Sequence, residues 1–354
     1  MGNNTKALIR WKEVIIITIL VRLLLFSIPL FFTPHLINLF DPWIRWDGPH
    51  YIEIAKHGYQ TIGEPALFIV FYPFYPILIK AFNVLIGNYN LSAIIISWIF
   101  SIFASILLYE LVLLDFNKRV ALLSVWFLNI FPTAFFLQSA YTESLFLTTS
   151  LATVYFFRKG KIIQSGLAGA LASMTRINGV LLLPILLTET KSVGKNLIAF
   201  ILIPVGFFIY LLINYLTFKN PFYFSKVLSS HWYKHLTWPW ISIQNLINFF
   251  QNQTGDYYYL FLAELITIFL LVIATILVYI CVRKSYGIYM LLNLLLFTST
   301  SFIMSTPRYT LILFPFFITL ALIKNKIVLT LISTIFITLL FCLTYLYTQG
   351  RWAF

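Results

Sequence analysis

Charge is scarce in this sequence. Asp, Glu, Lys and Arg make up only 10% of its 354 residues, and just 11 of them are acidic. A soluble domain carries about a quarter charged residues, so a water-facing surface of ordinary size is excluded. Cysteine is nearly missing as well. Cys281 and Cys342 both fall in apolar runs, so no disulfide framework follows and the redox compartment stays open. The apolar runs are continuous and lack the polar alternation of a lipid-facing β-barrel. A signal-peptide cleavage site is also wanting. Lys6, Arg10 and Lys12 precede an apolar stretch from Val14 to Val21, but that stretch resumes past Arg22 to about Phe32 with no small-x-small motif after it. It reads as a retained first helix.

What is plentiful is apolar surface: 60% of the residues are hydrophobic and the mean hydropathy is +0.91. A helical crossing needs about 20 such residues. Hydropathy predicts an all-α polytopic membrane protein with about eleven segments, at 13–32, 91–114, 120–138, 143–157, 162–175, 177–189, 196–216, 258–282, 287–304, 310–323 and 327–347. They form a single unit over 1–354, with two long connections at 33–90 and 217–257. Segments 162–175 and 177–189 are short. They are half-length helices buried in protein or lining a cavity, or else a plain hairpin. The first holds Ser165-Gly166-Leu167-Ala168-Gly169-Ala170, a small-residue face suited to close helix packing.

The net charge of +13 is dispersed in small clusters between the apolar runs: Lys6/Arg10/Lys12, Lys118/Arg119, Arg158/Lys159/Lys161, Lys191/Lys195, Arg283/Lys284 and Lys324/Lys326. A nucleic-acid-binding face or stripe would gather them, so that class is set aside. The positive-inside rule accounts for the spacing. A cytoplasmic N-terminus puts all six clusters on the cytoplasmic side, and both long loops and the C-terminus on the other. All five histidines (His35, His50, His57, His231, His235) and the acidic residues Asp41, Asp47, Glu53, Glu64 and Asp256 lie in those outer loops. Since the inner connections are very short, polar chemistry belongs to the outer face. The histidines show no metal-ligand spacing.

In the first outer loop, Asp47-Gly48-Pro49 has the form of a helix start, with Asp as N-cap and Pro in the first turn. Tyr51, Ile54 and Ala55 then share a face, and Gly58 is the stop. This predicts a short amphipathic helix at the membrane surface. Asp47 is either a cap or a catalytic carboxylate, and one group can serve as both. Asp41 and Asp47 could together hold a divalent cation such as Mg or Mn, or Asp41-Pro42 simply opens a turn. Phe71-Tyr72-Pro73-Phe74-Tyr75-Pro76 enforces a bent approach, as an interfacial wedge or a purely structural bend.

The run Arg45-Trp46-Asp47-Gly48-Pro49-His50-Tyr51, then Ile54-Ala55 and Gly58-Tyr59, then Phe71 to Pro76, resembles the first loop of PIG-V-type mannosyltransferases. These belong to the GT-C glycosyltransferases, which use polyprenyl- or dolichyl-phosphate sugars. Ser139-Ala140-Tyr141-Thr142-Glu143-Ser144-Leu145-Phe146 is similar to the family's Y-(S/T)-E-S-L-F, and Ser173-Met174-Thr175-Arg176-Ile177-Asn178-Gly179 to its S-x-T-R-x-x-G. The likeness covers about 40–185 and is thin from 217 on, apart from Pro307-Arg308-Tyr309.

The resemblance implies a GT-C-like fold and transfer of a sugar, expected to be mannose, from a lipid-phosphate donor to a glycan or glycolipid acceptor. This would occur at the outer or luminal face, with inversion and Asp47 as general base. Arg176 and Arg308, both at predicted outer helix ends, are candidates to hold the departing phosphate, or they only mark those ends by snorkelling. Glu143 either complements a helix dipole or orients the acceptor. Trp46, His50, Tyr51 and Asn178 complete the candidate binding residues. Arg22, midway along the first segment, requires a partner or a watery cavity. The aromatic loop from Phe218 to Trp240 is an interfacial segment or a lid over the donor. A multi-spanning transporter or flippase is the competing class, although no repeat of the transporter kind emerges.

Overall fold

The computed structural model describes residues 3–32, 38–190, 192–251 and 254–354. His35, Lys191, Asn252 and Gln253 lie outside them, as do the side chains of Lys6 and Asp256. Every one of the eleven apolar segments carries a helix. The chain runs through α1 (Asn3–Phe32), α2 (Asp47–His57), α3 (Phe74–Ile86), α4 (Tyr89–Val112), α5 (Lys118–Ile130), α6 (Glu143–Arg158), α7 (Ile162–Ser173) and α8 (Leu182–Glu189). It continues through α9 (Val193–Phe218), α10 (Tyr223–His231), α11 (Pro239–Gln251), α12 (Asp256–Leu277), α13 (Lys284–Thr298), α14 (Thr306–Leu311), α15 (Phe314–Ala321) and α16 (Lys326–Thr348). Among the described residues the sole extended pairing is the bridge between Leu236 and Thr300.

Five of these helices are long and apolar enough to cross a bilayer alone: α1 from Arg10, α4, α9, α12 with the turn that follows it, and α16. Two of the remaining apolar segments are cut short by local chemistry. Segment 120–138 stops being α-helical at Phe131, held extended (φ −56°, ψ 142°) by the proline that follows it. Segment 310–323 is broken at Leu313, ahead of the Phe314-Pro315 start of α15. The first outer loop holds more helix than its sequence predicts. After α2 comes a 3-10 helix (Glu64–Val70), and then α3 at a bend of 113°. Pro73 sits at that bend, so the aromatic-proline run turns the chain and then joins α3.

The small-residue face on α7 packs against α9. A Cβ on Gly206 would lie 1.9 Å from the Ala170 carbonyl oxygen, and one on Gly169 would lie 2.4 Å from Ile203. Only glycine permits this approach of two backbones. Arg22 finds the partners its position demands: its guanidinium donates to the Ala134 carbonyl (2.5 Å) and to Asn129 Oδ1 (3.0 Å). This ties the middle of α1 to the end of α5.

The joints assigned to one side of the membrane also meet in space. Asp115, just after α4, bridges Arg158 at the end of α6 (2.6 Å) and Arg283 before α13 (2.7 Å). Arg283 also grips Glu189 at the end of α8 (2.8 Å), and Arg10 pairs with Glu110 (2.7 Å). The basic clusters of the sequence are thus knitted to nearly every acid at that end of the bundle.

Candidate functional site

At the opposite end, the chain entering α2 is stitched to the segment before α6. Tyr141 Oη donates to the Arg45 carbonyl (2.9 Å) and accepts the Asp47 amide (3.2 Å), while the Ala140 amide donates to the Trp43 carbonyl (3.1 Å). Gly48 lies against Ala140, where a Cβ would meet its carbonyl at 3.4 Å. The turn into α2 passes through Trp46 in the left-handed region (φ 52°). Asp47 is therefore the first residue of α2, and its carboxylate does not cap that helix. It turns to Arg308, with Oδ2 3.0 Å from the guanidinium. The expected stop is where the sequence puts it: Gly58 (φ 73°) donates to the Ile54 carbonyl.

Arg308 reaches the site from α14. The start of that helix is pinned by Glu264, whose carboxylate accepts the amides of Ser305 and Thr306, and by Thr133, which donates to the Pro307 carbonyl. The guanidinium lies over the rings of Tyr141 (4.4 Å) and Phe136 (4.8 Å). Its Nε donates to Glu143 Oε1 (2.5 Å), and the same oxygen accepts from Arg176 (2.8 Å). The result is a continuous chain, Asp47–Arg308–Glu143–Arg176, built from four distant parts of the sequence. Burial is deepest in its middle. The Glu143 side chain is 0% exposed, that of Arg308 8% and that of Arg176 14%, whereas Asp47 is 33% exposed. Asp47 is the carboxylate that meets solvent.

The other candidates divide. Tyr51 is buried against Phe71 and Tyr75. Burial, with Asp47 adding to it, pushes its phenol above the ordinary value. The His50 ring lies on Phe68 (4.2 Å) and Phe71 (5.3 Å). Burial lowers its pKa, with Asp47 and Glu64 opposing, which favours the neutral imidazole. Trp46 is exposed and packs edge-on against Trp352 (5.1 Å). Asn178 donates to Asn293 Oδ1 (2.7 Å), tying the turn before α8 to α13. Asp41 is exposed and accepts from Asn38 (2.9 Å). Among the described residues no group of three or more His, Cys, Asp or Glu gathers that could hold a metal ion.

Two participants had no role assigned from sequence. Tyr141 joins Asp47 to Arg308, and the signal was its place two residues before Glu143. The Tyr309 ring lies between Arg176 (5.7 Å) and Lys234 (5.9 Å). Lys234 arrives on the second long loop, where His235 and Thr237 hydrogen-bond to the 299–301 backbone. Lys234 lies in the aromatic stretch from Phe218 to Trp240 that the sequence marks as an interfacial segment or a lid, though nothing there singles out this residue.

The family profile described as Mannosyltransferase (PIG-V) matches residues 16–193, half of the chain. The GPI alpha-1,6-mannosyltransferase 2 of Mus musculus is 30% identical over 154 residues, covering 40% of this chain and 30% of the mouse protein. The protein of that name from Cricetulus griseus is 28% identical over 147 residues (38% and 29%). The GPI mannosyltransferase 2 of Schizosaccharomyces pombe is 27% identical over 147 residues (40% and 31%). The alignments thus span less than a third of each relative's length. The profile match takes in Asp47, Glu143 and Arg176 and ends before Arg308.

Proposed function

The chain belongs to the mannosyltransferase (PIG-V) family, and we propose that it transfers mannose from a polyprenyl- or dolichyl-phosphate donor to a glycan or glycolipid acceptor. In this reading Asp47 is the general base. The acceptor hydroxyl loses its proton to the carboxylate as its oxygen attacks the anomeric carbon. The bond from that carbon to the lipid-phosphate oxygen breaks with inversion, and the electron pair leaves on the phosphate. Arg308 and Arg176 receive that developing charge through their forked donors. His50 and Tyr51 border the acceptor side.

The observation that carries this reading is the ion chain, with its most exposed carboxylate at one end and two arginines held behind it. Arg308 holds Asp47 in the resting protein. A donor phosphate competing for that guanidinium would release the carboxylate, so the base becomes strong only when the leaving group is seated. The topology proposed with it has eleven crossings, a cytoplasmic N-terminus and the site on the extracellular or luminal face. Family membership favours transfer over the transporter or flippase reading.

The test is turnover of polyprenyl-phosphate mannose by the purified protein. Asp47→Asn should abolish it, and Asp41→Asn should preserve it. Equal rates in the unsubstituted protein and Asp47→Asn would overturn the assignment.

A further inference from the structure

Trp46, the residue before Asp47, is held in a backbone conformation that tryptophan seldom adopts. The chain from Arg45 to Gly48 is a tight turn, closed by the Gly48 amide donating to the Arg45 carbonyl (2.9 Å). Trp46 is its second residue, at φ 52° and ψ −109°. That is the first central position of a type II′ turn, where glycine dominates because a Cβ is crowded there. Such a conformation persists only where the rest of the structure enforces it, and it gathers at functional sites.

Here it is enforced through α16. Arg45 donates to the Thr348 carbonyl (3.2 Å), and Tyr347 Oη donates to the Trp43 carbonyl (3.3 Å). Beyond α16 the chain turns at Gly350 (φ 74°), and the ring of Trp352 comes back to meet that of Trp46, with centroids 5.1 Å apart and planes at 71°. Trp352 is half-buried, whereas Trp46 is 41% exposed. The turn thus holds a large ring in the open directly beside Asp47. An interfacial anchor would account for an exposed tryptophan, but it asks nothing of the backbone. A fixed ring surface next to the base asks for both.

The indole carries no charge and offers nothing to a phosphate. Its face is the negative side of the ring quadrupole, and a pyranose presents a patch of polarised C–H groups that packs on such a face. A sugar lying flat on Trp46 keeps its hydroxyls free, with one of them toward Asp47. We propose that Trp46 is the platform for the acceptor's sugar ring, and that Trp352 is a positioning residue that keeps the platform in place. The proposal rests on the transferase reading for Asp47 as base, while the affinity of Trp46 for a pyranose stands on the geometry. Stacking fixes the face and tilt of the ring, and so decides which hydroxyl reaches the carboxylate. The platform would therefore set the linkage that is formed.

Binding is tested first, without donor. Saturation-transfer NMR on the purified protein uses a set of methyl glycosides (mannoside, glucoside, galactoside and glucosaminide). At least one should have its ring C–H protons saturated, while open-chain mannitol should not. Its Kd should rise about tenfold in Trp46→Gly and Trp46→Ala, the worth of one aromatic contact, and hold in Trp46→Tyr. Trp46→Gly, which takes up the turn without strain, should melt above Trp46→Ala while binding no better. Trp352→Ala should raise the same Kd by a smaller factor, and Trp352→Phe should restore it. With that glycoside as acceptor, its KM should rise about tenfold in Trp46→Gly while KM for polyprenyl-phosphate mannose holds. The proposal is overturned by no glycoside binding to the unsubstituted protein, by an unchanged Kd in Trp46→Ala, or by a rise in the donor KM in place of the acceptor KM. Glycoside binding that needs Trp46, in a protein that transfers no mannose, leaves the platform standing and sinks the transferase reading. Transfer abolished by Asp47→Asn, with binding indifferent to Trp46, does the reverse.

Discussion

Replacing each carboxylate of the ion chain by its amide should separate stability from activity. Asp47 and Glu143 balance Arg308 and Arg176, so either Asp47→Asn or Glu143→Gln leaves one uncompensated positive charge. Where that charge is left decides the cost. Glu143 is fully buried and its Oε1 accepts from both arginines, and Arg308 is 8% exposed above two aromatic rings. Removing one partner of such a buried pair costs about 3–5 kcal/mol. Asp47 is one-third exposed, so water screens its pairing and Asp47→Asn should cost only about 0–1 kcal/mol. Thermal unfolding in one detergent should place Glu143→Gln well below the unsubstituted protein and Asp47→Asn close to it. Transfer assays should rank the pair the other way at temperatures where both are folded. Asp47→Asn should lose about 10²–10⁴-fold, the contribution of a general base, while Glu143→Gln should retain a measurable rate. A melting temperature for Glu143→Gln equal to that of Asp47→Asn would refute the burial argument. Full activity in Asp47→Asn would refute the role of the exposed carboxylate.

Other substitutions test the scaffold. Arg22→Ala strands the Ala134 carbonyl and the Asn129 side chain inside the bundle and should destabilise by at least about 2 kcal/mol, leaving KM for folded enzyme unchanged. Gly206→Ala forces a methyl group into the Ala170 carbonyl and should cost about 1–3 kcal/mol, read as lower thermal stability and purification yield. His50 should titrate below the ordinary imidazole value of about 6.5 in labelled-histidine NMR, and Asp47→Asn should lower it further by removing a charge that raises it. Because the folded state resists this proton, His50's contribution to stability should be intact above the ordinary value. It should fall away as pH drops below it.

Much of this was legible in the sequence, for reasons that differ by element. Segments 91–114 and 196–216 are found as α4 and α9 within a few residues, because an uninterrupted apolar run has one stable solution in lipid. The small-residue stretch at 165–170 announced a close helix contact through residue size alone, and the structure supplies α9 as its partner. Segment 120–138 misled because hydropathy counts Phe131 and Pro132 as apolar while the proline ends the helix. The loop from 33 to 90 was under-read: the apolar stretch Phe74–Ile86, stopped by Gly87 in the left-handed region, forms α3 and packs on α2 and α4. In the site, Asp47, Glu143 and Arg176 stood in recognisable stretches. That Arg308 joins Asp47 to Glu143 could not be read, since it lies 261 and 165 positions from them. The cap assigned to Asp47 failed for a related reason, because a distant guanidinium outcompetes the helix's own amides.

The knot of charge around Asp115 has a mechanical meaning. Arg158, Arg283 and Glu189 lash together the ends of α4, α6, α8 and α13 that lie away from Asp47. With Asp47, Arg308, Glu143 and Arg176 binding α2, α14, α6 and the turn before α8 at the other end, the bundle is riveted by charge at both of its ends, and the stretch between is held by apolar packing.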